Sequence, residues 1–250
     1  MTETEHLAHA PIVEASLAIG ATFAKPVDQE LLASFQDRLG GRYPAKEVRI
    51  AWAGQVELKA DAPPQFAVAP GSGPAGYLFR SADTKQAVQA LKDGFSFSRF
   101  RPYEDWSKFV KEARDLWERY AALTKPEKIN RIGLRYINRL ELPLPFDDFK
   151  EFILTGPEIA PELPQGLASF FFRAVVPIDE AKAFGVITET TVETEATKTV
   201  VPLILDIDVF RAGTFTVTAD QLWPSFDRLR EVKNRLFFKS LTDKAKDLFR

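Results

Sequence analysis

The segment RIGLRYINRL, residues 131–140, alternates two kinds of side chain along a run that is typical of a β-strand. Successive side chains of a strand point to opposite faces, so residues two apart share a face. One face then carries Arg131, Arg135 and Arg139. The opposite face carries Ile132, Leu134, Tyr136, Asn138 and Leu140. The pattern predicts a sheet whose apolar face packs against helices and whose cationic face meets water or a polar groove.

A second segment, LILDIDVF at residues 203–210, has the complementary pattern. Asp206 and Asp208 fall on one face of this predicted strand, and apolar residues fall on the other. If the two strands are near each other in the sheet, the aspartates can pair with the arginines. Opposite charges across two strands stabilise a sheet by about 0.2–1 kcal/mol per pair. The simplest interpretation is therefore a set of ion pairs on the open face of a sheet.

Two other interpretations give the same residues a function. Guanidinium groups match phosphate and carboxylate oxygens in a bidentate way, which predicts an anion-binding or partner-binding site. That candidate ligand-binding site consists of Arg131, Arg135, Arg139, Asp206 and Asp208. Alternatively, Asp206 and Asp208 could hold Mg²⁺ or Mn²⁺, because hard cations favour carboxylate oxygens. The nearby arginines would compete with a metal, so we expect neither a metal site nor catalytic residues.

Composition narrows the possible chemistry. The chain has 250 residues, no cysteine and only two histidines, His6 and His9, so cysteine-based chemistry is excluded. The phosphate-binding loops of common nucleotide-binding proteins are also missing, and we expect no cofactor. The chain has a net charge of −2 and so lacks the excess of basic residues that duplex-binding domains usually carry. We therefore expect no strong binding of duplex nucleic acid, and a partner that is a protein or a small anionic ligand.

The order of predicted elements indicates an α+β fold. A flexible tail, residues 1–10, is followed by two similar halves, residues 11–125 and 126–250. Each half reads as a strand, a helix, an antiparallel meander and a second helix, which predicts a mostly antiparallel sheet covered by helices. Each half ends with a Phe–Arg strand end and an amphipathic helix that begins near a tryptophan, so we predict an internal duplication. The oligomeric state is left open.

Four local predictions are specific enough to be tested. Residues 61–75 are rich in proline, alanine and glycine and predict a loop. Asp93–Gly94 predicts a tight turn. Pro102 predicts the start of an amphipathic helix. Residues 222–249 predict one long helix with a solvated cationic face, which consists of Arg228, Arg230, Lys233, Arg235 and Lys239.

Four segments together resemble a sporadically distributed family of bacterial and archaeal proteins of about this length. The segments are APIVEASLAI, RIGLRYINRL, LDIDVF and FFKSLTDKAKDLF, and the arginine strand is the family's signature. The resemblance implies no activity, cofactor or catalytic residue. The scattered distribution of the family implies horizontal transfer, which fits accessory roles such as defence or mobile-element functions.

These observations favour a cytoplasmic binding or regulatory protein without catalysis. The N-terminal residues lack the basic start and apolar core of a signal peptide, and no apolar run approaches the roughly 20 residues of a membrane span. One alternative is a metal-dependent phosphodiesterase or nuclease that uses Asp206 and Asp208. A second alternative is a carrier of apolar ligands, because 21 phenylalanines could line an internal cavity.

Overall fold

The computed structural model describes residues 7–59, 62–164, 167–192, 199–215 and 219–250. Within these residues, nine strands form a single antiparallel sheet in the order β2-β3-β4-β5-β1-β6-β9-β8-β7. The strands are β1 (Ile12–Thr22), β2 (Ala45–Lys59), β3 (Ala62–Arg80), β4 (Gln86–Leu91), β5 (Gly94–Phe100), β6 (Lys128–Pro143), β7 (Phe171–Ile178), β8 (Ala183–Thr191) and β9 (Val200–Phe215). The α-helices of the described residues are α1 (Gln29–Ala33), α2 (Trp106–Thr124), α3 (Ala219–Ser240) and α4 (Asp243–Asp247). No helix of the described residues is long and apolar enough to cross a lipid bilayer.

The predicted fold class, an α+β protein of two helix-covered halves, is wrong. One antiparallel sheet accounts for most of the regular structure, and two of the four described helices have only five residues. Part of the error lies in residues 61–75, of which 62–75 belong to β3 and not to a loop. The backbone of β3 pairs with β2 along most of its length, so pairing overrides a composition that disfavours strands. The division at residue 125 and the internal duplication stay predictions.

Two compact units divide the chain. The first unit comprises Met1–Leu17, Arg99–Tyr103 and Arg131–Arg250, and the second unit comprises Ala18–Ser98 and Glu104–Asn130.

Aromatic packing against α2 forms the core of the second unit. The helix begins after Asp105, whose side chain accepts a hydrogen bond from the backbone N–H of Lys108. It therefore begins four residues later than Pro102 predicts. Tyr120 on the inner face of the helix contacts the rings of Phe35 and Phe95, and all three rings are buried. The buried residues of α2 recur at helical spacing and form one face, which consists of Phe109, Ala113, Leu116, Trp117 and Tyr120.

In the first unit, α3 packs on β8 and β9. A Cβ atom on Gly185 of β8 would lie 2.5 Å from Cδ1 of Leu236, so the missing side chain allows this close approach. The predicted single helix over 222–249 is wrong at one point. The observed helix, α3, ends at Ser240. The hydroxyl of Thr242 then accepts a hydrogen bond from the backbone N–H of Ala245 and so caps a separate helix, α4.

The alternation predicted for residues 131–140 is confirmed. Ile132, Leu134 and Leu140 are fully buried, whereas Arg135 is exposed and both Arg131 and Arg139 are half-buried. Gly133 departs from the pattern, because it is buried on the arginine side beside the guanidinium of Arg131.

The Asp93–Gly94 turn yields a stability prediction. A Cβ atom on Gly94 would lie 2.2 Å from the backbone oxygen of Ile19, so Gly94→Ala forces the backbone to move. We expect the free energy of unfolding to fall by about 1–3 kcal/mol, the usual cost of overpacking. Gly40→Ala is the control, because nothing lies within 4 Å of its Cβ position and only its left-handed backbone is strained. Chemical denaturation measures the free energy of unfolding of both variants. If Gly94→Ala lowered it less than Gly40→Ala does, a steric clash at Ile19 would be contradicted.

Candidate functional site

Two ion pairs join β6 to β9. The guanidinium of Arg135 is bidentate on Asp206, with Nε 2.9 Å from Oδ1 and Nη2 2.6 Å from Oδ2. The side chain of Asp206 is only 13% exposed, so this carboxylate depends on its partner. Arg131 and Asp208 form a looser pair, in which Nη2 lies 3.6 Å from Oδ2. The ion pairing predicted from the two strand patterns is therefore present for these four residues.

Arg139 does not join this pairing. Its Nε lies 2.6 Å from Oε1 of Glu141, its neighbour along the same strand. The structure thus brings four of the five predicted site residues into two cross-strand pairs and assigns the fifth to a local pair.

An aromatic pair extends the charged row. The guanidinium of Arg131 lies over the ring of Phe210 at 4.6 Å from its centroid, within the range of a cation–π contact. Phe210 in turn stacks on Phe184 of β8, with ring centroids 5.6 Å apart. Arg131 is therefore held between an aromatic ring and a carboxylate, which fixes its position on the strand.

The strand register carries this face on to β7. Directly opposite residues share a face, and Asp206 pairs with Thr188, which pairs with Arg173. We call this side of β6, β9, β8 and β7 the open face. Three apolar side chains on it are exposed: Phe171 is 70% exposed, Val175 is 49% exposed and Phe184 is 44% exposed.

Burial shapes the electrostatics of the open face. Burial raises the pKa of Asp208 above its ordinary value, and the charges of Arg131 and Arg135 oppose that rise only in part. For Arg135, the hydrogen bonds to Asp206 raise the pKa of the guanidinium. Both carboxylates thus have guanidinium partners. Among the described residues, no group of three or more histidine, cysteine or acidic side chains could hold a metal ion.

Two buried ionisable groups in the first unit were missed from the sequence. Lys233 was expected on the solvated face of the last helix, but only 8% of it is exposed. Burial lowers its pKa to about 7, and the charge of Arg230 contributes to the lowering. Its Nζ lies 3.9 Å from the ring centroid of Tyr136, whose hydroxyl is 2.8 Å from that of Tyr103. The face of the Tyr136 ring therefore offers this buried charge a favourable cation–π contact.

Glu189 of β8 is the second buried group. It is fully buried, and neither carboxylate oxygen has a hydrogen-bond partner among the described residues. Burial alone raises its pKa to about 8. A buried carboxyl group without a partner is costly when ionised, so this residue is protonated at neutral pH.

No protein-family model matches the chain, and no curated protein matches it.

A double-mutant cycle tests the Arg135–Asp206 pair. We expect Arg135→Ala and Asp206→Ala to be coupled by about 0.5–1 kcal/mol in the free energy of unfolding, because Arg135 is half exposed and solvent screens the pair. The same cycle on Arg139 and Glu141 is the control, since both of those side chains are more than a third exposed. Urea denaturation of the variants measures both couplings, and equal values for the two cycles would contradict the greater dependence of Asp206 on its partner.

The raised pKa of Glu189 predicts a pH-dependent stability. Between its ordinary value of 4.5 and about 8, the unfolded state ionises this group while the folded state keeps it protonated. The free energy of unfolding therefore loses up to about 1.4 kcal/mol per pH unit in this window and levels off above it. Glu189→Gln removes the effect, so its stability relative to wild type should rise from pH 5 to pH 8. Urea denaturation at several pH values measures this trend.

The control for that experiment is Glu158→Gln, because Glu158 is exposed and paired with Lys150. Parallel stability profiles for wild type and Glu189→Gln would show that Glu189 titrates normally in the folded protein.

Proposed function

We propose that this protein is a cytoplasmic, non-catalytic binding protein that recognises a protein partner through the open face. One observation carries the proposal: exposed apolar side chains of β7 and β8 lie on the same face as two ordered arginine–aspartate pairs. Protein interfaces combine these features, with aromatic and arginine side chains enriched and packed among polar groups. The resemblance to a sporadically distributed family supports an accessory role, such as defence or a mobile-element function.

A protein fits this face better than a free anion does. The guanidiniums of Arg131 and Arg135 already contact carboxylates, so a free phosphate or carboxylate would have to displace Asp208 or Asp206. Arginine held in place by such contacts still offers its aliphatic and planar surfaces to a partner. Phe171 and Val175 lie exposed on the same face, and their burial against a partner would stabilise the complex.

The same ion pairs weigh against a metal-dependent phosphodiesterase. A divalent cation at Asp206 would have to replace a bidentate guanidinium and would stand beside a second cation, Arg131. Charge repulsion opposes such an arrangement.

The test is a partner capture with chemical crosslinking in the native host. The double variant Phe171→Ser and Val175→Ser removes two exposed side chains without touching the core. We expect wild type to yield a stoichiometric partner and the double variant to lose at least about tenfold in affinity for it, about 1.4 kcal/mol. The measurement is titration of the purified partner against each purified variant.

Val48→Ser is the matched control, because Val48 is 56% exposed on β2 in the second unit. It should bind as wild type does. Three outcomes would each overturn the proposal. The double variant could retain the partner, the control could lose it, or crosslinking could recover no partner.

A further inference from the structure

A cavity of about 270 Å³ lies beside the short 3₁₀ turn Phe149–Glu151. Its apolar walls include Phe149, Ile153, Leu154, Leu167 and Phe170. Phe149 and Phe170 contact each other edge to face, with ring centroids 5.1 Å apart, and both residues are half-buried. The volume is slightly below the roughly 300–1,000 Å³ of drug-sized ligand sites, so it suits a small molecule. Two aromatic rings therefore form part of a concave surface that such a molecule can reach.

Hydrogen bonds hold both aromatic walls in place. A capping box between Asp148 and Glu151 closes the turn that carries Phe149. The backbone oxygen of Phe170 accepts a hydrogen bond from the hydroxyl of Thr190 at 2.9 Å. Binding to a surface that is already ordered loses less conformational entropy than binding to a mobile one. The two rings are therefore positioned for a ligand before it arrives.

The charged side chains of the described wall already have partners and lie in solvent. Nζ of Lys150 is 3.3 Å from Oε1 of Glu158, and these side chains are 63% and 82% exposed. Oδ1 of Asp148 accepts a hydrogen bond from the backbone N–H of Lys150 at 2.8 Å. A charged ligand would lose hydration in the cavity and would have to displace one of these contacts to be paired. The cavity therefore favours an uncharged ligand.

Two features of the wall indicate the kind of uncharged ligand. Aromatic rings attract one another in edge-to-face and offset contacts beyond the effect of buried area, so Phe149 and Phe170 favour an aromatic ligand over an aliphatic one of similar size. Among the described residues of the wall, Thr155 alone has an uncharged side chain that can form a hydrogen bond. Its hydroxyl both donates and accepts, and so does the hydroxyl of a phenol.

We propose that this cavity binds a small uncharged aromatic compound that carries one hydroxyl group, as a phenol does. The ring of the ligand packs against Phe149 and Phe170, and its hydroxyl group forms a hydrogen bond with Thr155. The described wall of the cavity contains no residue of β6, β7, β8 or β9, so this site is separate from the open face. Binding of a small molecule here goes beyond the recognition of a protein partner there.

The experiment is isothermal titration calorimetry of the full chain at pH 7 with p-cresol as the probe. Its charged counterparts are 4-methylbenzoate and 4-methylbenzylamine, and its non-aromatic counterpart is 4-methylcyclohexanol. We expect wild type to bind p-cresol with millimolar or tighter affinity. It should prefer p-cresol by at least about tenfold over either charged compound and by about threefold over the cyclohexanol. No saturable binding of p-cresol, or equal or tighter binding of any of the three counterparts, would overturn the proposal.

Three variants assign the binding to this cavity. Phe170→Leu keeps an apolar side chain but removes the ring, and Thr155→Val keeps the shape of the side chain but removes the hydroxyl. Each should weaken p-cresol binding by about threefold or more. Phe238→Leu is the matched control, because Phe238 is half-buried as Phe170 is and does not line the cavity. Urea denaturation confirms that each variant is folded. Wild-type affinity in Phe170→Leu or in Thr155→Val, or an equal loss in Phe238→Leu, would contradict the assignment.

Discussion

The two-residue alternation of β6 is the constraint on which the first unit depends. Its inner side chains include Leu134 and Tyr136, which are buried, and Tyr136 also meets Lys233 of α3. Its outer side chains include Arg131 and Arg135, which hold the two aspartates of β9. A slip of one residue in the register would exchange the two faces and bury guanidinium groups against the helix. The same strand register therefore places the apolar side chains of β6 in the core and its arginines on the open face.

The spacing of apolar and charged residues over short stretches of sequence predicted those features that depend on a single strand or helix. The faces of β6 and of α2 follow from the spacing of apolar residues. Complementary charge predicted the ion pairs between β6 and β9 only on the condition that the two strands are neighbours, which the strand order supplies. The extent of β3 did not follow, because its proline and glycine residues are typical of a loop and its strand structure comes from pairing with β2. Whether the two predicted halves share one sheet could not be decided from the sequence, because the pairing of distant strands leaves no local signal.

The two buried ionisable residues were missed for a different reason, although both left a signal. Lys233 lies four residues from Leu229 and four from Phe237, so helical spacing places it on their buried face. Glu189 follows Ile187 by two residues and shares its buried side of β8. In both cases the charged residue type suggested solvent, whereas position in the element decided burial. Where one side of a helix or strand is covered, the spacing of a residue along the element is a better guide to its burial than its residue type.

The outermost strand, β7, has consequences for how the sheet meets other chains. An edge strand with an exposed phenylalanine is a template for further strands, and such edges lead to aggregation unless something blocks them. In β7 the block is built in: Pro177 has no backbone N–H to donate, and Arg173 places a charge near the middle of the strand. Growth of the sheet by strand addition is thus disfavoured at this edge. The molecule can therefore keep Phe171 in solvent without offering the backbone of β7 for polymerisation.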